Sequence, residues 1–116
     1  MALRIKRVYE PSDDEDGKRI LVDRLWPRGL SKKRAHVDAW LKDVAPSPEL
    51  RRWFGHDPDK WNEFRRRYRA ELENSPEAVE ALKEEIGKSN ATLLYGAKDE
   101  ERNQAIVLRE FITGNT

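Results

Sequence analysis

Three times along this chain a capping residue stands directly before a proline: Ser47-Pro48, Asp57-Pro58 and Ser75-Pro76. A serine or aspartate oxygen accepts from the orphan N–H groups of a first helical turn. Proline at the first helical position loses nothing, because the N–H it lacks has no partner there. Three successive helices are therefore predicted through the middle of the chain. Gly55 and Gly87 stand where the first and third should stop. In the second, Trp61, Phe64, Tyr68 and Leu72 recur at helical spacing, and Val79, Leu82 and Ile86 do so in the third.

Strand patterns flank this helical block. Leu3 to Tyr9 alternates apolar and basic residues, as a strand with one solvated face does. Pro11 to Lys18 is an acidic loop whose composition suggests a mobile excursion rather than an active site. Arg19 to Leu25 is the second predicted strand. Val37, Ala39 and Leu41 alternate with Asp38, Trp40 and Lys42, which favours a short third strand over a helical turn. Ala91 to Ala97 carries the strongest strand signal of the second half. Asp99 is placed to cap a final helix containing Ala105, Ile106, Leu108, Phe111 and Ile112. Strands separated by helices predict an α/β fold: one domain over residues 1–116, with a small, mostly parallel sheet of about four strands flanked by helices. A chain of 116 residues is long enough to close one core without metals or disulfides.

Charge narrows the function classes. Twenty-three basic residues nearly cancel 22 acidic ones, so no global attraction to nucleic acid follows. Any anion-binding surface must come from local segregation of charge. There is no cysteine, which excludes thiolate metal sites and cysteine nucleophiles. No apolar run is long enough for a membrane span and none resembles a secretory signal, so a cytoplasmic location is expected.

In open α/β sheets, ligands bind outside the carboxyl ends of the strands, where loops and helix starts converge. Two segments occupy such positions: Asp23 to Gly29 after the second strand, and Tyr95 to Asn103 after the last. Together they predict a cleft for an anionic small molecule, with or without catalysis, built from Asp23, Arg24, Trp26, Arg28, Tyr95, Lys98 and Asn103. Arg24 and Arg28 would hold the anion with planar guanidinium forks. Trp26 would wall the pocket, and Asp23 would orient an arginine or serve as base. Tyr95 or Lys98 would contact the ligand. The competing expectation is structural: Arg24 or Arg28 pairs with Asp99 or Glu101 and fastens loop to helix.

Other candidates carry less. His56 beside Asp57 could act as a base, but Asp57 is better explained as a helix cap. Two isolated histidines show no metal-ligand spacing, so no metal is predicted, and no cofactor is indicated. Arg65-Arg66-Arg67-Tyr68-Arg69 looks like a nucleic-acid element. Glu63, Glu71 and Glu73 lie at four-residue spacing from its arginines, however, as on a solvated helix face, and nucleic acid is not the expected partner. A third reading has the aromatic residues forming a homo-oligomer surface.

The runs Val22 to Gly29, Trp40 to Ser47, Trp53 to Pro58 and Leu93 to Glu100 resemble the YeaO-like family, a bacterial domain of unknown function. The resemblance covers nearly the whole chain and implies a small cytoplasmic bacterial protein without an established reaction. Longer relatives carry cysteines around the last strand and helix, where this chain has Tyr95 and Asn103. Closer ones often place a histidine after the asparagine, where this chain has Gln104.

Overall fold

The computed structural model describes residues 3–114. Strands β1 (Leu3–Arg7), β2 (Lys18–Leu21), β3 (Ala39–Trp40) and β4 (Ala91–Tyr95) form one sheet in the order β1-β4-β2-β3. Every neighbouring pair is parallel, so the expected α/β architecture holds. The last strand sits at the centre of the sheet. All five of its residues are buried, which is why it reads as a continuous apolar run without alternation.

The period-two pattern of the strands sorts side chains onto two unequal faces. Leu3, Ile5, Ile20, Val22, Ala91, Leu93 and Tyr95 belong to the larger core, beneath α2 (Pro48–Phe54), α3 (Trp61–Glu73), α4 (Pro76–Ile86) and α5 (Gln104–Thr113). Val8, Leu21 and Leu94 face the other way, against Ala35 of the short helix α1 (Lys32–Ala35), Trp26 and Trp40. Aromatic rings organise the larger core. Phe64 of α3 stacks on Phe54 of α2 at 4.3 Å between centroids and on Trp61 at 5.7 Å. Tyr68, fully buried, donates its hydroxyl to the Val44 carbonyl at 2.5 Å and so gives a buried acceptor its partner.

The predicted helix starts are realised with differences in detail. Ser47 Oγ accepts from Leu50 N–H ahead of α2. Asp57 caps a 3-10 turn, Pro58–Lys60, that runs directly into α3. Ser75 makes no side-chain cap bond, yet α4 still begins at Pro76. The final helix is corrected: its cap is Asn103, whose side chain accepts from Ile106 N–H, and not Asp99. Asp99 instead closes the preceding turn by accepting from the N–H groups of Glu101 and Arg102. Both are good capping residues. The extended backbone at Asn103 (φ −146°, ψ 165°) decides where the helix begins.

Two further expectations change. β2 ends at Leu21 rather than Leu25. Val22 N–H still reaches the Leu94 carbonyl, but the Asp23 carbonyl is taken by the Trp40 indole at 2.7 Å, and the chain turns out of the ladder. The acidic loop is no free excursion. Its Asp16 is buried and joins Arg19 at 2.6 Å, while Lys6 reaches both carboxylate oxygens at 3.2 Å. Thr92 of β4 donates to the Asp16 carbonyl at 2.7 Å, tying the loop across the sheet.

Candidate functional site

A cleft of about 430 Å³ opens at the carboxyl ends of β2 and β4. Because those strands are adjacent and parallel, the segments that follow them leave the sheet on the same edge. Both contribute to the cleft: Asp23 to Pro27 from one, Gly96, Ala97 and Arg102 to Gln104 from the other. Asp23 joins them directly. One carboxylate oxygen accepts from Gly96 N–H at 2.8 Å, and the other accepts from the Gln104 side-chain amide. A Cβ at position 96 would lie 2.9 Å from the Asp23 carboxylate, so a larger residue there would push that side chain aside.

The seven residues expected at a site divide into two groups. Asp23, Arg24, Trp26 and Asn103 line this cleft, whereas Arg28, Tyr95 and Lys98 do not. Tyr95 is buried in the larger core, Lys98 is exposed, and Arg28 contributes its backbone carbonyl to the Tyr9 hydroxyl. The other three lining residues, like Asp23, already have structural partners. Arg24 spends its guanidinium on the carbonyls of Ala45 (3.1 Å) and Pro46 (3.3 Å). Trp26 donates to the Leu30 carbonyl at 2.6 Å and meets Trp40 edge-on. Asn103 caps α5 and donates to the Asp99 carbonyl. The expected pairing of Arg24 or Arg28 with Asp99 or Glu101 does not form, because Asp99 takes Arg102 at 3.1 Å.

Arg51, Arg52, Arg102, His56 and Gln104 also line the cleft. Arg51 and Arg52 stand out. Neither side chain has a hydrogen-bond or ion-pair partner among the described residues. Their place in the last turn of α2 complements the helix dipole, so the local sequence gives them a structural reason as well. His56, following the left-handed Gly55, itself holds a left-handed conformation (φ 58°) at the rim. Sequence reasoning passes over the arginine pair because only the docking of α2 over the sheet edge turns it inward. Among the lining residues, Asp23 is the sole carboxylate against four arginines.

The arginine-rich stretch of α3 makes ion pairs within the chain. Arg65 and Arg69 both reach Glu110 of α5, at 2.6 and 3.2 Å, and Arg66 and Arg67 share Glu63. Glu71 does not serve Arg67. It accepts from the Ser47 N–H and hydroxyl. Within the described residues no group of three acids or histidines could hold a metal ion, and no helix is long and apolar enough to cross a membrane.

Burial raises the Asp23 carboxyl to about pH 6, against the opposing pull of the Gly96 N–H, the Arg51 charge and the Gln104 amide. The folded value lies above the unfolded one, so the protonated carboxyl favours the fold. That contribution is complete below the unfolded value near 3.8 and is lost as pH rises through about 6. Asp23→Asn keeps the shape and removes the titration. Measured by urea unfolding, the stability of Asp23→Asn relative to the parent should improve by roughly 2–3 kcal/mol between about pH 4 and pH 7.5. A difference independent of pH would contradict the buried-carboxylate account.

Comparison with known proteins places relatives around this geometry. The model of the family described as the inactive DUF488-N3 subclade matches residues 2–116. "Uncharacterized protein Rv3073c" of Mycobacterium tuberculosis (strain ATCC 25618 / H37Rv) is 43% identical over 112 residues, 97% of this chain and 94% of that protein. "Uncharacterized protein YeaO" of Escherichia coli (strain K12) is 42% identical over 112 residues, 97% of each chain. No solved structure matches significantly.

Proposed function

We propose that this chain, which belongs to the inactive DUF488-N3 subclade, binds a small anionic molecule in the cleft between Asp23 and α2. The observation that carries the reading is the state of Arg51 and Arg52. The other arginines lining the cleft spend their guanidinium groups on carbonyls or on Asp99, while these two line the cleft without a hydrogen-bond or ion-pair partner among the described residues. Unpaired guanidinium pairs are suited to an oxyanion, which they engage through charge-assisted and often bidentate hydrogen bonds. A pocket of this size, part aromatic wall and part converging polar groups, is suited to a small molecule. The description of the family as inactive agrees with binding rather than turnover.

Phenyl phosphate is a direct probe, read by isothermal titration calorimetry or by tryptophan fluorescence. Replacing both Arg51 and Arg52 with alanine should weaken its binding by about ten-fold or more, since each lost charge-assisted bond contributes on the order of 1.5–3 kcal/mol. Both side chains are exposed, so the melting profile should stay close to the parent's and separate a binding effect from a folding one. Unchanged affinity in the folded double variant would remove the cleft from this role.

A further inference from the structure

An anion cleft with a carboxylate on its wall is electrostatically self-opposed, and Asp23 is such a carboxylate. It is largely buried, has no ion-pair partner, and faces the same space as Arg51 and Arg52. Fastening the two segments together does not by itself require a charge, because a neutral side-chain oxygen accepts from the Gly96 N–H as well. A carboxylate offers about four acceptor positions. Gly96 and Gln104 use two of them, so acceptor capacity remains on a group that lines the cavity. A second, independent observation concerns the rim. Among the described residues, the only large apolar side chains left exposed are Leu25 (64%) and Tyr9 (41%), and both border this cleft. Inside, Phe54 and Phe64 continue the apolar wall.

We infer that the occupant is an organic oxyanion carrying an apolar or aromatic body and a hydrogen-bond donor, with the oxyanion on Arg51 and Arg52, the body against Leu25 and Tyr9, and the donor on Asp23. The inference rests on the anion-binding reading and narrows its ligand class. A bare inorganic anion satisfies the arginines but leaves the apolar rim uncovered and sits near the like-charged Asp23 carboxylate. A phosphate monoester or a carboxylic acid with an amine, amide or hydroxyl on its far side answers all three features. Recognition by an acceptor buried in the wall also selects strongly, because an analogue without the donor leaves that acceptor unpaired.

Five probes separate the parts: inorganic phosphate, phenyl phosphate, 4-aminophenyl phosphate, benzoate and 4-aminobenzoate, each titrated by calorimetry near pH 8, where Asp23 is ionised. Phenyl phosphate should bind more tightly than inorganic phosphate. The amine should add about ten-fold over phenyl phosphate. In Asp23→Asn, inorganic phosphate should bind as well as before or better, because a like charge is gone, while the gain from the amine should disappear. The two amine-bearing probes tell a phosphate from a carboxylate ligand, and an amine-dependent gain that needs Asp23 supports the inference with either. If phenyl phosphate binds through Arg51 and Arg52 but the amine adds nothing, or adds as much in Asp23→Asn, this inference fails while anion binding stands. If phenyl phosphate binds no differently in the parent and in the folded arginine double variant, both fail.

Discussion

Gly17→Ala is expected to remove a large share of the protein's stability. A Cβ at this position would lie 2.1 Å from the Asn90 carbonyl oxygen and 2.5 Å from its carbon, both backbone atoms that cannot swing aside. The backbone there holds φ 65° and ψ −138°, a region that a side chain makes inaccessible. Nor can the chain relax cheaply. Gly17 joins the turn containing Asp16 to the start of β2, and the next residue, Lys18, donates its N–H to the same Asn90 carbonyl at 3.1 Å. Relieving the clash means drawing β2 away from β4 at the centre of the sheet. A cost of at least about 4 kcal/mol is expected, a large share of the stability of a domain this size. Gly29→Ala is the internal control. Its φ is 76°, yet nothing lies within 4 Å of the added atom. Only the left-handed penalty applies there, about 1–2 kcal/mol. Urea midpoints for the two variants should differ widely, and similar midpoints would contradict the close-approach account.

Arg19→Met should be nearly as damaging, through charge rather than volume. The Arg19 side chain is buried on β2 with each guanidinium nitrogen engaged: Asp16 at 2.6 Å, the Ala35 carbonyl at 2.9 Å and the His36 carbonyl at 3.0 Å. Methionine fills much of the space but leaves the buried Asp16 with Lys6 as its sole charged partner and takes the arginine donors from two carbonyls. Breaking a buried pair from one side costs about 3–5 kcal/mol, more than the intact pair is worth against an apolar replacement. The acid dependence follows from the same network. Burial alone would raise the Asp16 carboxyl, but the Asp13 N–H and the Lys6 and Arg19 charges outweigh it and hold it below its ordinary value of 3.8. A lowered folded value contributes stability above the unfolded pKa and loses it as pH falls through the folded one. Acid unfolding of the parent below about pH 4 should therefore include a step that Asp16→Asn lacks. Acid profiles of identical shape for parent and variant would show that Asp16 is not the group responsible.

How much of this could be read beforehand depends on whether the deciding interaction is local. The helix starts at Pro48 and Pro76 are written in adjacent residues, and so is the aromatic stripe of α3. The meeting of Asp23 with Gly96 follows from two parallel strands exiting together. Arg24 illustrates the opposite case. Its partners are the carbonyls of Ala45 and Pro46, and backbone acceptors leave no trace in a pattern of side chains. Arg51 and Arg52 look like the charged end of a surface helix until the packing of Phe54 on Phe64 fixes how α2 lies over the sheet edge. Arg19 is misleading for the same reason. A charge within a strand suggests solvent, and only the return of the acidic loop across β4 shows why it is buried.

The strand order has a consequence for synthesis. Among the described residues β1 pairs only with β4, and β4 lies between β1 and β2, so the strand that joins them is the last of the four to be made. Until Ala91 to Tyr95 emerge, the backbone of β1 lacks the strand it pairs with, and β2 has β3 alone beside it among the described residues. A nascent chain stalled before that point is open to aggregation, and the finished one closes around the strand it receives near the end.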